Sequence, residues 1–163
     1  MFGGKDLKIL VYTDADYAQQ ADCHSISGYC LIFAARGISW SLKKQNIVTL
    51  SSTEAEYIGH TNATKEILWI CDFWAKINRK SIFDPTLLRA NNQGAIQLSN
   101  NNKFHTCTKH IDIRYHFIHE ALKNKLLEIK YVPTDKNIAD IFTRPLSRPL
   151  FKKFREMLGL SYA

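Results

Sequence analysis

Two glutamates stand two residues apart in Leu50-Ser51-Ser52-Thr53-Glu54-Ala55-Glu56-Tyr57, at the head of the longest helical pattern in the chain. At about 100° per residue, Ala63, Ile67, Ile70, Trp74 and Ile77 fall within about 60° of Glu56. Glu56 therefore heads the apolar, inward stripe, and Glu54 points away from it. A carboxylate at the head of a buried face is costly unless a cation meets it. An arginine, a lysine or a metal ion would serve. Other polar groups sit where strand patterns end. Asp14 follows an aliphatic run in Thr13-Asp14-Ala15-Asp16, and Asn91 follows Thr86-Leu-Leu-Arg-Ala90. Ligands gather at such carboxyl ends, with an Asx turn as the structural alternative for Asp14. Ser51 with Glu54, and Thr53 with Glu56, both have capping-box spacing. That spacing accounts well for Glu54, but as a cap Glu56 would leave its place on the apolar stripe unexplained.

The elements that must position these groups follow from hydrophobic patterning. Residues 7–12 are nearly continuous aliphatic, which predicts a central strand covered on both faces. Residues 26–34 predict a second strand, Ala35-Arg36-Gly37 a tight connection, and 38–42 a third strand that alternates apolar with polar. Lys43, Lys44 and Gln45 follow at its edge. A helix over about 52–78 comes next, then a strand over 86–90 and a helix beginning at 95–98. A helix within 105–123, a strand over 127–132, a turn into a helix holding Asp140, and a basic amphipathic helix over 150–158 complete the order. This β-β-β-α-β-α-α-β-α order predicts an α/β fold of mixed α+β character: a five-stranded mixed sheet, its first three strands antiparallel, flanked by helices. Right-handed crossovers place the first and fourth strands side by side. Asp14, Glu56 and Asn91 then converge, and the late helix carrying Asp140 can pack over the same edge.

Composition narrows the class. With 163 residues the chain suits one domain with a proper core, and no internal repeat or boundary is evident. The net charge of +7 and pI near 9.3 point to a polyanion, nucleic acid before a membrane surface. No run of 18 apolar residues predicts a membrane span, and the first six residues lack a signal-peptide core. The four cysteines lack metal-type pair spacing and read as reduced thiols of an intracellular protein.

The motifs, taken together, resemble the ribonuclease H domain of the Pol polyprotein of copia-type LTR retrotransposons. They are Tyr12-Thr-Asp-Ala-Asp-Tyr-Ala18, Ser27-Gly-Tyr29, Ile38-Ser-Trp40, Lys43-Lys-Gln45, the Leu50–Tyr57 string, Asn92-Gln-Gly-Ala-Ile96, Thr108-Lys-His-Ile-Asp-Ile-Arg-Tyr-His-Phe117, Tyr131-Val-Pro133 and Ala139-Asp-Ile-Phe-Thr-Arg-Pro-Leu146. The match runs over roughly 7–160. The resemblance implies a single domain over 1–163, with residues 1–6 as an added or linker segment and a C-terminal basic helix in 147–163. The starting methionine and the lack of a polymerase domain suggest an excised piece. It implies cleavage of the RNA strand of RNA/DNA hybrids by four carboxylates and two Mg²⁺ ions, with Mn²⁺ as a substitute. The expected partners are the hybrid and the polymerase domain of the same polyprotein, with no membrane. The isolated domain is expected to be a monomer, and its setting a cytoplasmic virus-like particle.

By position, Asp14, Glu56 and Asp140 match three of the family's catalytic and metal-binding carboxylates. The third position, normally the aspartate of an Asp-Asn-Gln motif, holds Asn91. In-line hydrolysis of a phosphodiester needs charge neutralised on both the attacking and the leaving oxygen, which two Mg²⁺ ions do. Hard cations want carboxylate oxygens; an amide offers one weaker oxygen and no charge. The Asn91 form is therefore expected to bind hybrid and to cleave it slowly or not at all. An isosteric change suggests a deliberate substitution to trap substrate, and natural decay of an element copy is the rival account. With no arginine or lysine evidently dedicated to Glu56, that residue reads as a ligand shared between two Mg²⁺ sites, and Glu54 as a cap.

Substrate contacts follow. Ser51, Ser52 and Thr53 lead a helix whose free N–H groups can meet nucleic acid. Asn92 and Gln93 are similar to family residues that read the minor groove, where 2′-hydroxyls mark RNA. Lys43, Lys44, Lys109 and Arg114 are candidate phosphate contacts, with a solvated face as the alternative for each lysine. His105, Cys107, His110, His116 and His119 form no two-plus-two zinc set. His110 and Asp112 belong to a family-like motif and are assigned a structural or substrate-supporting role. The stretch Pro133–Ile138 lacks the mobile histidine of cellular ribonucleases H. Two other readings stand beside the enzyme: a non-catalytic hybrid-binding module domesticated from such an element, and a strand-transfer nuclease of the same superfold, against which the Ser51–Tyr57 string argues.

Overall fold

The chain's most aliphatic strand lies in the middle of its sheet. β1 (Leu10–Asp16) pairs antiparallel with β2 (Ile26–Phe33), which pairs antiparallel with β3 (Arg36–Lys44). On its other side β1 runs parallel to β4 (Thr86–Ala90), and β4 runs parallel to β5 (Leu127–Tyr131). The sheet order is thus β3-β2-β1-β4-β5, with the first and fourth strands adjacent as the crossover rule requires. The helices are α1 (Ser52–Asn78), α2 (Gln93–Asn100), α3 (Lys109–Lys123), α4 (Asp140–Thr143) and α5 (Arg148–Met157). The computed structural model describes residues 8–18, 22–78, 85–101 and 109–160, the side chains of 78 and 109–112 excepted.

Two cores sandwich the sheet. On one face Val11, Leu31, Leu88 and Ile129 pack with Ala63 and Ile67 of α1 and Ile118 of α3. On the other, Tyr12, Cys30 and Ile32 pack with Ile138, Ala139 and Phe154. Alternate residues of β1 therefore feed opposite cores, which is why its sequence is apolar without alternation. The stripe expected below Glu56 holds at Ala63 and Ile67, both fully buried, but Ile77 is 60% exposed. The helix outruns the sheet it covers.

Several boundaries differ from expectation. β1 continues through Asp16 instead of ending at Tyr12, because antiparallel pairing with β2 persists after the parallel register with β4 stops at Tyr12 and Arg89. The β2–β3 connection is the two-residue turn Ala34-Ala35, both at positive φ (49° and 62°), and Arg36 and Gly37 already belong to β3. Lys43 and Lys44 are strand residues too. In β3 the alternation fixes the strand, and the polar set is the one turned to α1: Ser39 bonds Glu66 of α1 at 2.8 Å, while Ile38, Trp40 and Leu42 are exposed. The helix expected around Asp140 shortens to a 3₁₀ turn, Thr134–Lys136, followed by α4, which begins at Asp140 itself.

A two-residue hairpin of this type needs left-handed backbone at both central positions, and an alanine there costs about 1–2 kcal/mol. Ala35 is exposed. Ala35→Gly is expected to raise unfolding free energy by roughly 1 kcal/mol in chemical denaturation; no gain would mean the turn relaxes elsewhere.

Candidate active site

The site forms where β1 and β4 part. Beyond Tyr12 and Arg89 the two strands no longer pair, so Asp14 and Asn91 project at the sheet's open end. Asp14 lies opposite Gly28 of β2. A Cβ on Gly28 would sit 2.8 Å from Thr143 Cγ2 and 3.1 Å from Phe142 Cβ. The bare backbone there lets α4 settle on the sheet beside Asp14. Thr143 donates its hydroxyl to Asp14 Oδ2, and Asp140 stands one turn earlier in the same helix. Asn137 secures the approach to α4 from below: fully buried, it donates from Nδ2 to the Thr13 carbonyl at 3.0 Å.

Asn91 touches Asp14 directly. Its Nδ2 lies 3.3 Å from Asp14 Oδ1 and 3.4 Å from Thr134 Oγ1. The amide thus presents a donor where the family-like motif would place an acceptor. Glu56 is buried at the start of α1, and its Oε2 has no hydrogen-bond partner. Burial first and the Asp14 charge second push its carboxyl well above the ordinary range, against the Ala15 N–H and the Arg144 charge. Asp140 is fully buried; Arg144 bonds and ion-pairs with its Oδ2, and its Oδ1 is unpartnered. Asp16, half-buried nearby, is raised by burial and by Asp14 and lowered by Arg144.

The chain supplies an arginine to its carboxylates, Arg144, which bonds Asp140 and reaches Glu56 only through its charge. Thr143, Arg144 and Asn137 are the neighbours that sequence reasoning passed over, and the only signal for the first two was their place in the Ala139–Leu146 motif. Among the described residues, no group of three or more His, Cys, Asp or Glu side chains is arranged to hold a metal ion. The donor chemistry nevertheless suits a hard cation, because two buried carboxylate oxygens, Glu56 Oε2 and Asp140 Oδ1, lack any partner.

The expected substrate contacts divide. Ser51 caps α1, accepting the Glu54 N–H at 3.1 Å, while Glu54 reaches back to the Leu50 N–H at 2.7 Å. Glu54 is a cap, as expected. Ser52 is exposed, and Thr53 lies against α2, where its Oγ1 would be 2.9 Å from a Cβ on Gly94. The amino ends of α1 and α2 are therefore adjacent. Asn92 caps α2, its Oδ1 accepting the Ala95 N–H at 2.9 Å, and Gln93 is exposed. Lys43 lines a groove with Tyr29, Lys65 and Trp69, whereas Lys44 is ion-paired with Asp22. Arg114 is half-buried on α3. The side chains of Lys109, His110 and Asp112, and all of His105 and Cys107, lie outside the described residues.

Comparison with known proteins bears on the fold and on the sequence. No protein-family model matches the chain. It is 38% identical over 160 residues to the retrovirus-related Pol polyprotein of transposon TNT 1-94 from Nicotiana tabacum, covering 98% of this chain and 12% of that protein. It is 38% identical over 159 residues to that of transposon RE1 from Arabidopsis thaliana, covering 97% of this chain and 11% of that one. Among solved structures, LC11-RNase H1 in complex with RNA/DNA hybrid superimposes with a TM-score of 0.59 at 16% identity, covering 83% of this chain and 93% of that one. The fold is that of ribonuclease H, and the sequence is similar to these transposon Pol polyproteins. The chain spans about an eighth of the polyproteins it matches.

Within the ribonuclease H fold, the raised carboxyl of Glu56 has a signed consequence. Its folded value lies above its unfolded one near 4.5, so the native state holds the extra proton and stability falls as pH rises through that window. In a chelating buffer, Glu56→Gln is expected to flatten that fall and to be more stable than the parent at neutral pH. Parallel stability–pH curves for the two proteins would show that Glu56 is not the group responsible.

Proposed function

We propose that this chain is a hybrid-specific endoribonuclease domain that cuts the RNA strand of RNA/DNA hybrids during retrotransposon reverse transcription, and that Asn91 impairs it. The observation that carries the reading is the gathering of Asp14, Asn91, Asp140 and Glu56 at the open end of β1 and β4, two of them with unpartnered buried oxygens. Asp14, Glu56 and Asp140 would hold divalent cations, Mg²⁺ with Mn²⁺ as substitute, with position 91 as the fourth corner. Bound there, such ions would neutralise charge on the attacking and leaving oxygens of the phosphodiester.

The residues themselves have definable work. Thr143 orients the Asp14 carboxylate, Gly28 lets Asp140 approach it, and the Ser51 cap sets the azimuth of Glu56. The adjoining helix ends, with Ser51, Ser52, Thr53, Asn92 and Gln93, offer hydroxyls, amides and backbone N–H groups to a sugar–phosphate edge and its 2′-hydroxyls. Asn91 supplies neither the charge nor the second oxygen of a carboxylate, and its amide engages Asp14. That engagement also favours a second reading, a non-catalytic hybrid-binding module. In either case the partners are the hybrid and the rest of a Pol polyprotein, with a monomeric isolated domain and a virus-like particle as the setting. No helix among the described residues is long and apolar enough to cross a membrane.

Asn91→Asp is expected to raise Mg²⁺-dependent cleavage of labelled hybrid by about 10²-fold or more, the scale of restoring one stabilising group at a reaction centre. The same variant should melt lower than the parent in chelator, since a carboxylate would then face Asp14 with no donor between them. Equal cleavage by the two proteins would remove position 91 from the ligand set; equally absent cleavage would favour the binding module. Hybrid affinity is expected to fall steeply with salt, by about 0.7–0.9 log units per log unit of salt for each phosphate neutralised. Lys43→Gln should make that slope shallower by about one such contact, and Lys44→Gln, already paired with Asp22, should leave it unchanged.

A further inference from the structure

Arg144 occupies an unusual place among the basic residues. It follows Asp140 by one helical turn, and its guanidinium bonds Asp140 Oδ2. The two ends of this pair have different surroundings: the Asp140 side chain is 1% exposed and that of Arg144 is 40% exposed. The acid is fixed and dry, and the base reaches water. The Arg144 charge also acts on Glu56 and on Asp16, opposing the effects of burial and of Asp14 on both. One cation thus serves three acids, while Asp14 is closed by the Thr143 hydroxyl and the Asn91 amide.

We propose that Arg144 is a positioning residue that acts as the resident counter-charge of the cluster and competes with a divalent cation for Asp140. The proposal rests on reading the carboxylates as a cation site. A buried carboxylate stripped of its partner is strongly destabilising, so Asp140 needs a positive charge whether or not an ion is bound. Arg144 meets that need through one oxygen and leaves Oδ1 open. A divalent cation offers twice the charge and accepts several oxygens at once. Because the guanidinium borders solvent, it can turn outward when the ion enters, and its planar fork then suits a phosphate. Cation affinity in this chain is therefore set partly by the arginine that must leave.

The test compares Mn²⁺ binding, by calorimetry or by the spin-resonance signal of the free ion, with unfolding in chelator. It uses the parent, Arg144→Met and Arg144→Lys. Arg144→Met is expected to melt lower in chelator and to bind Mn²⁺ about tenfold more tightly, within the usual range for coupled sites. Arg144→Lys, which keeps the charge and loses the fork, should fall between and remains informative if the Met variant does not fold. Parent-like or weaker Mn²⁺ binding in both variants, with the parent itself binding, overturns the exchange and leaves the cation site standing. Absence of Mn²⁺ binding in the parent, both variants and Asn91→Asp removes the cation site, and the exchange with it.

Discussion

Burying like charges side by side is the constraint on which this structure turns. Asp14 and Glu56 are each 5% exposed and Asp140 is fully buried, and solvent relieves none of them. Each is instead met by something local: a threonine hydroxyl and an amide at Asp14, a backbone N–H at Glu56, a guanidinium at Asp140. The surrounding architecture serves this arrangement. Gly28 lets a four-residue helix close on the sheet, Asn137 ties the loop before it to β1, and a capping box aims the first turn of α1. Fields of this kind are costly in the folded state, and proteins keep them where chemistry uses them.

What was legible in the sequence was local or topological. The Ser51–Glu54 cap depends on residues three apart, and it is present as expected. The adjacency of β1 and β4 follows from crossover handedness, and it brings Asp14 and Asn91 together although they are far apart in sequence. The partners of the acids were not legible. Thr143 reaches Asp14 only because Gly28 admits α4, a contact between distant segments that no spacing reports. Arg144 lies at helical spacing from Asp140, but a longer expected helix hid where its first turn begins. Lys44 looked like a phosphate contact until an acid outside its own strand claimed it. The face of β3 was ambiguous for a similar reason: alternation gives the period of a strand, and only the neighbouring helix decides which set of side chains is covered.

On the proposed reading, Asn91 is a nearly isosteric exchange for a carboxylate that keeps the fold and changes its electrostatics. The amide fits between Asp14 and Thr134 and donates to both. Where a carboxylate would add to the crowding of negative charge, the amide relieves it. Under the proposed function, stability and chemistry pull in opposite directions at this position.

The exposed side of β3 has a practical consequence. Ile38, Trp40 and Leu42 form an apolar row on the outermost strand of the sheet. That strand also carries a rim of backbone groups with no neighbouring strand beyond it among the described residues. Such a rim is a template for cross-β addition by another molecule, and the greasy row beside it lowers the cost of desolvation. Lys43 and Lys44 act as gatekeepers at one end only. Colloidal behaviour at high protein concentration will therefore be governed from this flank, whose Leu42 lies two strands across from Asp14 through Gly28.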